Sequence, residues 1–146
     1  MAKTIAAELI QLADHAPSYQ SAISLACEPL IREGYIEPSY VDRIFDALAT
    51  FGPYIILADE FALPHAPPGD DVLKTGVSLL VLKQPVDLLG QPVRFLMVLA
   101  ATNSSDHIET LESLAHFLME PESLLLLTKC ETVTQIHHLL EERWTT

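Results

Sequence analysis

Two histidines and their immediate neighbours carry the chemistry this chain can offer. His65 sits in Phe61-Ala62-Leu63-Pro64-His65-Ala66-Pro67-Pro68, directly after a short apolar strand and where two further prolines stop regular structure. Proline fixes its own φ and restricts the residue before it, so Leu63-Pro64-His65 is expected to be a stiff platform. His107 follows Asn103-Ser104-Ser105-Asp106, a run rich in N-cap oxygens. With a helix starting at Ser105 or Asp106, His107 falls in the first turn, where unpaired N–H groups and the dipole attract anions and lower an imidazole pKa. A neutral imidazole is a nucleophile, and phosphoryl transfer needs chiefly positioning and charge stabilisation. The pattern predicts that His65 attacks phosphorus and His107 donates a hydrogen bond to the phosphoryl oxygens. N–H groups of Asn103, Ser104, Ser105 and Asp106 share the charge, with no metal and no cofactor.

Taken singly, a histidine near a strand end such as His65 is more often a partly buried structural residue than a catalyst. The pair favours chemistry, because each follows a buried strand or its return loop and both are expected at one edge of a sheet, where α/β domains place their sites. A rival from another class is a metal-dependent hydrolase using His65, His107 and Asp106, which lacks an HxxxH-type ligand pair. The remaining candidates read as structural. His15 is expected at the end of a first helix. His116 is expected on the solvent or packing side of the His107 helix, and His137-His138 point in different directions on a helix. Asp70-Asp71 beside Gly69 read as a solvated turn, Trp144 as a packing residue, and Cys27 and Cys130 as buried free thiols on helices.

The elements that must position the two histidines follow from hydrophobic period and punctuation. Helices are expected over Thr4 to Ala13, from Pro17-Ser18 to Gly34, and from Pro38-Ser39 to Gly52-Pro53. Tyr54-Ile55-Ile56-Leu57 and Phe61-Ala62-Leu63 read as short strands split by Ala58-Asp59-Glu60. Gly76 to Leu82 and Val93 to Ala100 are apolar almost throughout, as in strands covered on both faces. The Pro85 to Pro92 stretch reads as a loop too short for a crossover helix, so the two long strands are expected to be antiparallel. Helices return at Asp106, where Asp106 and Glu109 have capping-box spacing, at Pro121-Glu122-Ser123 and at Glu131-Thr132. The sum is an α/β domain with three layers, α/β/α, around a mixed parallel and antiparallel sheet.

With 146 residues, 49% of them apolar and 19% charged, one domain spanning 1–146 is expected. The formal net charge of −12 argues against nucleic acid and anionic membrane surfaces as partners. No apolar run is long enough for a membrane span, and the first residues lack a signal-peptide pattern, so the protein is expected in the cytoplasm. A homo-oligomer is compatible with this composition.

Ala62-Leu63-Pro64-His65-Ala66, preceded by Gly52-Pro53-Tyr54-Ile55-Ile56-Leu57 and followed by Asp106-His107-Ile108-Glu109-Thr110-Leu111, resembles the mannitol/fructose-type enzyme IIA of the bacterial sugar phosphotransferase system. The Gly-Pro-Tyr segment is most similar to the ascorbate-type branch, and the resemblance covers essentially the whole chain. It implies that His65 takes phosphate from the phosphocarrier HPr and passes it to a cysteine of an enzyme IIB, with a membrane permease, enzyme IIC, served indirectly. It implies His107 as the supporting residue and attachment at the imidazole nitrogen far from the backbone. The transported compound would be ascorbate or a related sugar. An enzyme IIA-like protein whose phosphorylation controls binding to a target has the same signature. Two residues depart from the ascorbate-type pattern: Pro67 stands where Arg often follows the His-small pair, and Glu60 where Gly often precedes the motif. Losing a cation and gaining an acid weakens anion binding there unless Arg94 or Lys74 takes the part.

Overall fold

A five-stranded mixed sheet in the order β1-β4-β5-β3-β2 forms the middle layer of the computed structural model, which describes residues 5–144. Its strands are β1 (Ile10–Ala13), β2 (Ile56–Ala58), β3 (Glu60–Ala62), β4 (Gly76–Leu88) and β5 (Gln91–Ala100). The helices are α1 (Tyr19–Arg32), α2 (Pro38–Phe51), α3 (Ser104–Met119), α4 (Ser123–Lys129) and α5 (Val133–Arg143). β4 and β5 are antiparallel, β1 joins β4 in parallel, and β3 joins β5 in parallel. Val77 and Leu79 to Leu82 are all buried, as are Phe95 to Ala100, so apolar cover lies on both faces. Helices α1 and α2 touch one another, α3, α4 and α5 form a second contacting set, and both sets reach the sheet. This is the three-layer α/β/α arrangement that the patterning predicts. Among the described residues no helix is long and apolar enough to cross a membrane.

The helix starts follow their caps. Ser18 accepts from the Ser21 N–H, Asn103 from Asp106 and Thr132 from Gln135, while Pro38 opens α2. The α3 cap is Asn103 and not Asp106, because the Asp106 N–H is itself the capped group. Helix α1 accommodates Pro29, which cannot donate to the Leu25 carbonyl one turn earlier. The Gln11 side chain donates to that carbonyl at 2.7 Å, so β1 satisfies the group the proline leaves open.

Four expectations need correction. The segment expected to be helical up to Ala13 is a 3-10 turn, Ala7–Leu9, followed by strand β1, and Thr4 lies outside the described residues. A short isolated helix is marginal, whereas Ile10 to Ala13 pair with Leu79 to Leu82 along the edge of β4. His15 therefore follows a strand and is exposed. The stretch from Pro85 to Pro92 is a hairpin, not a loop. Strands β4 and β5 stay paired to Leu88 and Gln91, and Leu89 and Gly90 turn with φ of 50° and 97°. Positive φ at both central positions matches the twist of a two-residue hairpin, and Pro85 falls where the register slips between Val81 and Val86. Cys130 caps the end of α4 and is only half-buried.

Asp71 is the fourth: it is 9% exposed and is no solvated turn residue. Arg43 on α2 donates to both its oxygens at 3.0 and 2.6 Å, Ser39 adds a bond, and another guanidinium nitrogen of Arg43 donates to the Pro67 carbonyl at 2.8 Å. The Arg43 hydrogen bonds hold the Asp71 carboxyl below its ordinary 3.8. That contribution is present above the ordinary value and is lost as pH falls through the depressed one. Asp71→Asn is expected to cost about 2 kcal/mol at neutral pH. Urea midpoints of variant and wild type are expected to converge as pH drops below the carboxylate range.

Candidate functional site

The register of two parallel neighbours brings the histidines together. Beyond β3 the chain continues beside β5, where the Leu99 N–H donates to the Pro64 carbonyl and His65 forms an isolated bridge with Leu99. Strand β5 ends at Ala100, and three residues later Asn103 caps the helix carrying His107. Two chains running in the same direction thus leave the sheet side by side, and the His65 and His107 ring centroids stand 5.6 Å apart.

Each ring is oriented by its surroundings. His65 Nδ1 lies 2.6 Å from the Leu63 carbonyl oxygen. A carbonyl can only accept, so Nδ1 carries the proton and Nε2 keeps its lone pair. Pro64, between donor and acceptor, stiffens that loop. Tyr54 meets the His65 ring edge-on at 5.2 Å, and its hydroxyl donates to the His65 carbonyl at 2.5 Å. Tyr40 holds the next residue: its buried hydroxyl accepts from the Ala66 N–H at 3.0 Å and donates to the Leu99 carbonyl at 2.6 Å. Burial pushes the phenol of Tyr40 well above its usual range, so it stays protonated as that donor requires. On the facing helix, His107 Nδ1 is buried and makes no hydrogen bond. Burial, and then the neighbouring His65, push the His107 pKa below 6.5.

The other expected site residues divide into two groups. Asn103 Oδ1 accepts from the Asp106 N–H at 2.8 Å, and the Asp106 carboxylate accepts from the Thr75 hydroxyl at 2.6 Å. Both side chains are therefore committed to shaping the helix start. Ser104 and Ser105, as the first two helical residues, keep N–H groups with no partner inside the helix. Ser104 also lines the cavity of about 470 Å³ in which His65 and His107 meet. Asp106 is turned to Thr75, and among the described residues no three His, Cys, Asp or Glu side chains gather as a metal ligand set would.

The rest of that cavity is apolar, walled by Ala47, Phe51, Tyr54, Pro67, Pro68 and Ile108, with no lysine or arginine in its lining. Phe51 and Ile108 stand 72% and 55% exposed at its rim. The two expected substitute cations lie elsewhere. Lys74 sits over the Tyr35 ring at 4.3 Å. Arg94 is 3.8 Å from Glu60 and donates to the Lys83 carbonyl. Glu60 is likewise not beside the histidines: it opens β3 at the end opposite His65, paired with Val93. Its φ of 61° is the left-handed conformation that glycine adopts most easily. Of the minor candidates, His116 and His138 are exposed, and His137 lies 3.7 Å from Glu141. Trp144 packs against Phe117 as expected.

Tyr40 went unmarked in the sequence, and Tyr54 was marked only within the Gly-Pro-Tyr segment, with no role at the site. The available signal was that a tyrosine buried on a helix face must find a partner for its hydroxyl; which partner depends on contacts 26 and 59 residues away.

The family model described as phosphoenolpyruvate-dependent sugar phosphotransferase system, EIIA 2, matches residues 3–143. The ascorbate-specific PTS system EIIA component of Escherichia coli K12 is 30% identical, with 90% of this chain and 88% of that protein covered. The mannitol-specific cryptic phosphotransferase enzyme IIA component of the same strain is 34% identical, with 90% of each covered. The solution structure of an Escherichia coli mannitol-specific cryptic IIA superposes with a TM-score of 0.88 at 32% identity, covering 95% of this chain and 96% of that one. Mannitol IIA in its complex with phosphorylated enzyme IIB from Escherichia coli superposes with a TM-score of 0.81 at 30% identity, covering 95% and 98%.

Tyr40→Phe leaves the Ala66 N–H and the Leu99 carbonyl without this partner and is expected to cost about 1–3 kcal/mol, read as a lower urea midpoint with unchanged slope. In NMR titrations His107 is expected to protonate below the ordinary 6.5, and His65→Ala is expected to move it upward, because the like-charge repulsion between the two rings that disfavours protonated His107 is lost.

Proposed function

The chain belongs to the EIIA 2 family of the phosphoenolpyruvate-dependent sugar phosphotransferase system, and from that premise we propose that His65 Nε2 is the atom that carries the phosphoryl group. The observation that carries this reading is the 2.6 Å contact of His65 Nδ1 with the Leu63 carbonyl, which leaves Nε2 as the nucleophilic nitrogen. In the first half-reaction the Nε2 lone pair attacks phosphorus, and the bond from phosphorus to the donor breaks with its electron pair leaving on the donor. The positive charge that develops on the imidazole is shared through Nδ1–H with the Leu63 carbonyl. In the second, a cysteine thiolate of the acceptor attacks phosphorus, the P–N bond breaks, and its pair returns to Nε2. No net proton change at His65 is required.

His107 acts as the neutral donor to the phosphoryl oxygens. Its Nδ1 is sealed without a partner, so Nε2–H is the group it can offer to the cavity. The Ser104 and Ser105 N–H groups supply the remaining donors at the positive end of the α3 dipole. Asn103 and Asp106 act one step back, by fixing the helix start.

Donor and acceptor are HPr and the enzyme IIB of the same system, and the carrier works in the cytoplasm. The exposed side chains of Phe51 and Ile108 beside the nucleophile suit an apolar contact that closes over the phosphoryl group and excludes water during transfer. The relatives named for ascorbate and for mannitol fit a permease for ascorbate or a related small polyhydroxylated compound.

Incubation with enzyme I, HPr and phosphoenolpyruvate, followed by intact-mass spectrometry, tests the assignment. Wild type is expected to gain one acid-labile phosphoryl group at His65 Nε2 and His65→Ala none. His107→Ala is expected to phosphorylate about 100–1,000-fold more slowly, the range for removing one donor to developing negative charge. A phosphoryl group retained by His65→Ala sinks the assignment.

A further inference from the structure

We propose that a second cavity, at the end of the sheet far from His65, is a binding site for a small oxyanion such as a phosphate ester or a dicarboxylate. The cavity, about 450 Å³, lies where β1, β4 and β5 meet the connection from α4 to α5, and Lys83, Arg94 and Lys129 line it. Three of the eight basic residues of a chain with net charge −12 therefore converge on one small concavity. Glu131 is the one acid in its lining.

Arg94 is built into this site. Its side chain is only 25% exposed, and one terminal nitrogen donates to the Lys83 carbonyl, which fixes the guanidinium across the hairpin. Its Nε is buried with no hydrogen bond, and Glu60 Oε2, at 3.8 Å, is too distant to provide one. The residue is thus a held, incompletely satisfied fork donor, the group best matched to a carboxylate or phosphate. Lys129 at the end of α4 is exposed and pairs with no acid among the described residues. Lys83 comes no closer to Asp14 than 4.0 Å, with both side chains largely in solvent, a contact of little energetic weight. Two flexible ammonium groups around one fixed guanidinium can close on an anion of a few ångströms.

This cavity is separate from the phosphoryl site. Arg94 and Leu99, which bridges His65, lie five positions apart on β5, about 17 Å along the strand. An anion held here does not occupy the place of the transferred group. The cavity also carries its own reporter, since Cys130 lines it and is half-buried. Cys27 is fully buried, with its thiol pushed up to about 12, and stays silent to thiol reagents.

The test is a titration of the full chain at constant ionic strength with inorganic phosphate in one arm and succinate in the other, followed by amide NMR and by the rate of Cys130 alkylation. Expected is a saturable shift centred on residues 82–83, 94 and 129–131 in at least one arm, together with slower Cys130 labelling. The arm with the tighter response identifies the headgroup. Arg94→Gln and Lys129→Gln are each expected to weaken binding about tenfold, the loss of one charge-assisted contact. Lys129 is exposed and makes no ion pair among the described residues, so its variant keeps the test open even where Arg94→Gln fails to fold. No saturable shift in either arm, shifts confined to His65 and Ser104, or unchanged affinity in Lys129→Gln overturns the proposal.

Discussion

The hydroxyl of Tyr40 sits where three parts of the chain must agree. It comes from α2, accepts from the backbone just after His65, and donates to the end of β5, the strand that leads into the His107 helix. All of this is buried, so the bonds act at low dielectric, and a shift of any one element leaves a polar group unmatched. Arg43 lies over the same ring at 5.2 Å and ties α2 to Asp71 and Pro67 on the far side of the loop. The Arg43 guanidinium is thus spent on the backbone of the His65 loop and on a carboxylate, holding that loop in place rather than facing the cavity.

That division of labour shapes the electrostatics of the cavity. His65 and His107 meet in an apolar recess that has helix N–H groups but no lysine or arginine in its lining. The departures at Pro67 and Glu60 take their meaning from position. Pro67 lends its carbonyl to Arg43, and Glu60 lies at the other end of β3, within reach of Arg94, so it adds no repulsion at the site.

Much of this was legible in the residues. The strands that carry the core could be read because unbroken apolar runs such as Phe95 to Ala100 have few other uses. Helix starts at Ser18, Pro38 and Thr132 announced themselves through caps and proline. His65 and His107 stood out because each follows such a strand. The misses have one cause, which is dependence on a distant partner. Ile10 to Ala13 are a strand only because β4 offers a free edge. Asp71 is buried only because Arg43 reaches it from 28 residues away. Leu89-Gly90 lacks the Asn-Gly or Asp-Gly pair that marks a tight hairpin, and the pairing of Asp87 with Pro92 that continues the ladder is invisible until both strands are laid side by side.

The lack of a charged clamp in the His65 cavity has a thermodynamic side. A group-transfer intermediate is useful only while the bond to its cargo remains easy to break. On the proposed assignment, an arginine that gripped the phosphoryl oxygens more tightly in the loaded ground state than in the transition state would deepen the well and raise the barrier to handing the group on. On the same assignment, a recess offering neutral N–H donors would hold the group in register without a charge that grips the loaded state. On that assignment the protein would serve as a relay and not as a store.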